Sequence, residues 1–312
     1  MAPMLIDDGG QVMKMLAMLL SLSGLFLFPA DLAAKVKIVS TIPDFAAIAR
    51  EIGGDRVDVV AMVRPTQDPH FLDAKPAFVV ALNRADLLLL VGMELEGGWL
   101  PPLLVGARNA DIQKGEDGYL DCSTLIPPMG IQSPDRSKGD IHPGGNPHYW
   151  TDPRNGIRIA RGIAKRLAAI DPDHAEDYQR GCDAFVERLQ ARIVDWTKRL
   201  EPVKGTRVVV YHKSWIYFLD FAGLVEAGAL EPKPGIPPSP SHVAGLLKVV
   251  QDSGVKFVLQ ESFYPTELSR QFADKSGARL LVLPTMVGAS GMNSYIDMVD
   301  FIVNHIATDS EN

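Results

Sequence analysis

Three histidines carry the chemistry that this sequence offers. His70 lies in "RPTQDPHFL", just beyond the apolar run 57–63. His148 lies in "GNPHYWTDP", and His212 ends the run "RVVVYH". Neutral imidazole is the commonest metal ligand among side chains. Three imidazoles on three separate connections suit Zn²⁺, which takes nitrogen and sulfur donors in tetrahedral sites. Each histidine alone reads as well as a cap or a core residue; all three together do not. Four more histidines complete the set. His142 shares the Gly- and Pro-rich stretch "GDIHPGGNPHYWTDP" with His148, His242 opens a helix pattern, and His174 and His305 fall on outer helices facing solvent.

Other chemistries lack their signatures. The chain has no HExxH, GxSxG, P-loop or GxGxxG after a strand. "YHKSW" sets Ser214 near His212 but places no acid beside them. The only cysteines are Cys122 and Cys182. Cys182 falls on the apolar stripe of a helix, which favours a buried thiol over a disulfide. With a formal charge of −7, a pI near 5.5 and no basic cluster, nucleic acids and anionic membrane surfaces are poor partners.

The elements that must position these residues read as α/β. Six apolar runs, 36–40, 57–63, 86–92, 207–212, 256–261 and 279–283, have the unbroken pattern of strands covered on both faces. Helical patterns fall at 43–53, 76–84, 154–169, 214–222, 242–253, 265–276 and 294–307. A longer one runs from Asp173 to Leu200, with Tyr178, Cys182, Phe185, Leu189, Ile193, Trp196 and Leu200 on one stripe. The reading is two α/β lobes with mainly parallel sheets, residues 35–171 and 204–312, joined by a linking helix, 172–203. Ligands collect at the carboxyl ends of such strands, so the cleft between the lobes is the expected site. Residues 1–34 read as a signal peptide, with the true start at Met13 or Met15. No cysteine follows that apolar run to take a lipid, so the expected location is the periplasm.

Four stretches resemble the metal-specific solute-binding proteins of bacterial ABC importers, the zinc/manganese group with a rigid linking helix. They are "STIPDFAAIAREIGGDRVDVVAMVRPTQDPHFLDAKPA", "GNPHYWTDP", "VVVYHKSWIYFLDFAGL" and "FVLQESFYPTELSRQFADKSGARLLVLP". The resemblance covers nearly everything from residue 36 to 305 and puts His70, His148 and His212 at the ligand positions. It implies one transition metal held between the lobes and handed to an ABC transporter permease and its ATPase, by a monomer that is not an enzyme. The chain departs from the family twice. The place where many members carry a carboxylate ligand reads Leu283-Pro284-Thr285, and the His-rich loop of many zinc importers is reduced to His142.

The fourth ligand is therefore open. Glu261, ending "KFVLQE", is the first candidate, with a role in holding a histidine tautomer as its alternative. His142 comes next, then Asp68 and water; Glu231 and His242 read as a loop residue and a helix start. Three imidazoles with at most one carboxylate favour Zn²⁺ over Mn²⁺. A zinc-dependent hydrolase with Glu261 as base, and a binding protein for a metal chelate, are the rival readings.

Overall fold

The computed structural model describes Met1 and residues 34–131, 142–233 and 235–308. Residues 2–33 of the expected signal peptide lie outside the described residues. The chain divides into Met1–Ala34 and Lys35–Asn312, and the fold below is that of the second unit.

The first lobe is built on β1 (Val36–Ser40), β2 (Val57–Ala61), β3 (Leu87–Leu90) and β4 (Tyr119–Asp121), all parallel in the order β2-β1-β3-β4. The second repeats that order with β5 (Arg207–Val210), β6 (Val225–Ala229), β7 (Phe257–Glu261) and β8 (Arg279–Leu283), ordered β6-β5-β7-β8. The interior strands explain why apolar runs were legible. All four residues of β3 and all five of β7 are buried, because helices cover both faces. Helices α1 (Pro43–Gly53), α2 (Pro76–Asn83) and α3 (Leu100–Ala107) belong to the first lobe, with α4 (Pro153–Ile170) following it. Helices α6 (Ile216–Ala222), α7 (Pro240–Ser253), α8 (Glu267–Ser276) and α9 (Tyr295–Thr308) belong to the second.

Between the sheets runs α5 (Ala175–Leu200), a helix of 26 residues preceded by a 3₁₀ turn at Pro172–His174. Its stripe is buried as the spacing predicts, except for a half-buried Ile193, and the core is continuous along it, from Ile38 through Phe185 and Trp196 to Val208 and Phe257. The helix is fastened at both ends of its length. Gly181 lets it approach the first lobe so closely that a Cβ there would stand 2.2 Å from the Ile52 carbonyl oxygen. Farther along, the Trp196 indole donates to Asp300 of α9 at 3.0 Å, and Arg192 pairs with the same carboxylate.

Three elements had no sequence signal strong enough to read. β4 has only three residues, and β6, "VEAGA", combines small residues with a register shift opposite Val208 and Val209. α3 begins with two prolines, which look like loop but are tolerated in a first helical turn.

Candidate metal centre

Two of the three histidines are held by the same local device. In Asp68-Pro69-His70, the Asp68 Oδ1 accepts from the His70 backbone N–H at 3.0 Å and from its Nδ1 at 2.7 Å. In Asn146-Pro147-His148, the Asn146 Oδ1 accepts from the His148 backbone N–H at 3.0 Å and from its Nδ1 at 3.0 Å. A short polar side chain that bonds the backbone two residues on is an ordinary turn. Here the bonded residue is a histidine, so one oxygen fixes both the turn and the ring. Nδ1 keeps the proton, and Nε2 keeps its lone pair.

His212 reaches the same state by a different route. It follows β5 in extended conformation, and its Nδ1 meets the Glu231 Oε2 at 2.5 Å. Glu231 follows the neighbouring strand β6 and also accepts from the Gly235 N–H at 3.0 Å. The second lobe thus supplies one ligand candidate and its orienting carboxylate from adjacent strand ends.

The three rings converge. Their centroids are 5.1 Å apart for His70 and His148, 5.3 Å for His70 and His212, and 5.2 Å for His148 and His212. One nitrogen from each lies within 4.8 Å of the other two, and all three residues are buried. The His70 Nε2 is buried with no hydrogen-bond partner among the described residues. Burial, and then the neighbouring His70, His212 and His142, hold the His148 imidazole well below its ordinary pKa. Neutral imidazoles with aligned lone pairs are what a transition metal requires. Asp68 stays ionised beneath His70: burial opposes this, but the bonds from His70 and Tyr264 outweigh it. That Tyr264 bond, at 2.9 Å, also ties the two lobes together beside the site.

Glu261 does not join the cluster. It ends β7 wholly buried, and its carboxyl lies outside the group of converging donors, with the Trp215 indole beside it. Burial, then the charges of Asp68 and Glu231, push its pKa well above the usual carboxylate range. Nor does it orient a histidine; Asp68, Asn146 and Glu231 do that. Glu231, read from sequence as a loop residue, is the orienting partner of His212, and its signal was too remote in sequence to find. His242 is a helix-start residue, bonded to the Ala229 carbonyl at 2.9 Å. His142 does face the cluster: its ring is 5.4 Å from that of His70. Thr285 is buried, and its carbonyl accepts from the Trp150 indole at 2.8 Å. His174 is not simply solvent-facing, since its Nδ1 bonds Asp171 at 2.8 Å. Both cysteines are buried free thiols.

Glu96 had no signal in the sequence. It is 3% exposed just past β3, where it accepts from the Val91 and Gly92 N–H groups at 2.7 and 3.0 Å and from the Thr41 hydroxyl at 2.7 Å. Burial pushes its pKa up to about 7 against those bonds.

Residues 38–309 match the family described as zinc-uptake complex component A, periplasmic (ZnuA). The iron-binding protein YfeA of Yersinia pestis is 27% identical over 289 residues, spanning 89% of this chain and 88% of its own length. The manganese ABC transporter substrate-binding lipoprotein PsaA of Streptococcus pneumoniae is 26% identical over 233 residues, covering 73% of this chain and 72% of its own. The crystal structure of a ZnuA superposes with a TM-score of 0.74 at 26% identity, covering 88% of this chain and 99% of that one. These relatives are substrate-binding proteins, which sets the hydrolase reading aside. The chain belongs to the ZnuA family, the periplasmic metal-binding components of ABC-type metal importers.

Proposed function

We propose that this protein captures Zn²⁺ in the periplasm through His70, His148 and His212 and delivers it to an ABC permease driven by its ATPase. The observation that carries the reading is the convergence of three buried nitrogens within 4.8 Å of one another. Each ring is anchored through Nδ1, which leaves Nε2 for the metal. The donor set also favours zinc within a family whose members include proteins named for iron and manganese. Mn²⁺ prefers oxygen ligands, and the nearest carboxylates here, Asp68 and Glu231, are engaged as acceptors from the histidines. The triad is complete within one chain, so the reading needs no second copy.

Competition titration of the metal-free protein tests this. Zn²⁺ binds at one equivalent and is not displaced by a large excess of Mn²⁺ or Fe²⁺. Displacement by stoichiometric Mn²⁺ would overturn the metal assignment. Unchanged affinity in His70→Ala, His148→Ala and His212→Ala would overturn the site.

A further inference from the structure

Beyond the triad, the most unusual backbone near the site is the turn that follows β3. Gly92, Met93 and Glu94 have φ of 76°, 51° and 65°, so three successive residues are left-handed and two of them are not glycine. Such a turn persists only where its surroundings over-determine it, and it marks places where geometry has a use. The surroundings are present. The Glu96 carboxyl takes the N–H groups of Val91 and Gly92 and the Thr41 hydroxyl. The Asp121 side chain closes on Gly92 so tightly that a Cβ there would lie 2.0 Å from its Oδ1.

What the turn presents is the Met93 carbonyl, and its partner is the Nδ1 of His142 at 2.9 Å. A carbonyl can only accept, so Nδ1 carries the proton and Nε2 carries the lone pair. That is the state in which Asp68, Asn146 and Glu231 hold the other three rings. His142 is buried, its ring lies 5.4 Å from His70, and it is one of the groups that depress the His148 pKa. The connection to His148 is itself pinned: Gly145 N–H closes a turn on the His142 carbonyl, and the Asn146 amide donates to the Lys213 carbonyl at 2.6 Å. Among the described residues no carboxylate joins the three converging donors, and His142 stands just outside that group with its ring 5.4 Å from His70, so it must draw in to reach a fourth position. Tetrahedral zinc takes four ligands at about 2.0–2.1 Å.

We propose that His142 is the fourth ligand, completing a four-imidazole zinc site, and that the left-handed Gly92–Glu94 turn, clamped by Glu96, positions it. This rests on the reading of His70, His148 and His212 as the other three. Glu96 touches no ligand and acts only through the Met93 carbonyl, so it is a positioning residue.

The test uses the full protein loaded with Zn²⁺ for X-ray absorption and with Co²⁺ for visible spectra. Wild type gives four imidazole nitrogens and the intense absorption of four-coordinate Co²⁺. His142→Ala gives three nitrogens and one oxygen, loses roughly 10-fold or more in zinc affinity, and regains the four-nitrogen spectrum on adding free imidazole. Glu96→Gln weakens zinc by about 10-fold in wild type and by nothing further in the His142→Ala background, because its effect runs through His142. Should Glu96→Gln fail to fold, Thr41→Val removes one of the clamp's donors and serves the same cycle. A wild-type site with three nitrogens and a carboxylate oxygen, unchanged by His142→Ala, overturns the fourth ligand. Additive effects of the two substitutions overturn the positioning role. Neither result touches the triad, which fails only if His70→Ala, His148→Ala and His212→Ala still bind zinc as wild type does.

Discussion

The two lobes share a strand order and also the hydrogen-bond register at their strand ends, yet they divide the chemistry unequally. Thr41 N–H bonds the Leu89 carbonyl as Tyr211 N–H bonds Leu259; Val63 N–H bonds Thr41 as Glu231 N–H bonds Tyr211. In that register, His212, Glu231 and Glu261 of the second lobe correspond to Ile42, Val63 and Val91 of the first. The second lobe therefore writes its polar groups directly onto strand ends. The first leaves the same places apolar and carries His70, His142 and His148 on the longer connections after β2 and β4. A strand end fixes direction by itself. A loop histidine must be fixed by something else, which is why the Asp-Pro-His and Asn-Pro-His turns occur in the first lobe only.

Removing the second lobe's single imidazole is the harshest test of this division. His212→Ala leaves every remaining histidine of the site on one lobe, and zinc affinity falls by more than about 100-fold, exceeding what orienting partners typically contribute. Zinc also ceases to raise the melting temperature, since a ligand stabilises only in proportion to its occupancy of the folded state. Calorimetry and thermal scans with and without zinc read both effects. Retained thermal stabilisation by zinc would show that the first lobe binds alone and that the lobes are not equal partners in the site.

Next in size come the orienting groups. His70 and His212 are backed by the carboxylates Asp68 and Glu231, whereas His148 is backed by the Asn146 amide. A carboxylate raises the basicity of the ring it holds, so Asp68→Asn and Glu231→Gln each weaken zinc by about 10-fold. Asn146→Asp, which makes the third partner like the other two, changes affinity in the opposite direction. Equal losses from all three substitutions would mean that these side chains matter only for shape.

How much of this was legible followed from how local each signal is. The interior strands β1, β3, β5 and β7 announced themselves because burial on both faces demands unbroken apolar runs, and α5 did so through its long stripe. His70 and His148 were legible because their turn is written in three adjacent letters. Glu231 and Glu96 were not. Their partners, His212 nineteen residues away and Thr41 fifty-five residues away, become neighbours only once the strands are laid side by side. Glu261 is legible only in outline for a related reason: a carboxylate at a strand end points toward a cleft, but side-chain direction within the sheet is not readable from spacing.

Glu261 also offers a way to make the lobes alike. Its first-lobe counterpart is Val91, and its own carboxyl is wholly buried beside the Trp215 indole. Glu261→Leu keeps roughly the volume and removes a polar group that burial penalises, but leaves the buried Trp215 N–H without that neighbour, so stability shifts by no more than about 1–2 kcal/mol. Zinc affinity stays within about 3-fold, a difference smaller than 1 kcal/mol. Denaturant melts and zinc titration decide the matter. A collapse of affinity would place Glu261 in the coordination shell after all.

The smallest effect on zinc binding concerns a second buried carboxyl, one that joins the lobes. Asp44, in the first turn of α1, is wholly buried, and its Oδ1 accepts from the Val287 N–H of the second lobe at 3.3 Å. Burial raises its pKa from the ordinary 3.8 to about 8. The folded value lies above the unfolded one, so the folded state binds the proton more tightly. The contribution of Asp44 to stability is then fully present below about pH 4, erodes as pH rises through the interval between the two values, and is gone above pH 8. Asn at this position still accepts from Val287 but does not titrate. Asp44→Asn should therefore gain roughly 4 kcal/mol on wild type between pH 5 and pH 9, about 1.4 kcal/mol for each pH unit up to pH 8, with zinc affinity unaltered. Urea unfolding at the two pH values reads the difference. A variant whose pH slope matched wild type would show that Asp44 is already ionised in the fold, and that the contact between α1 and the β8 connection tolerates a charge that the neighbouring core does not.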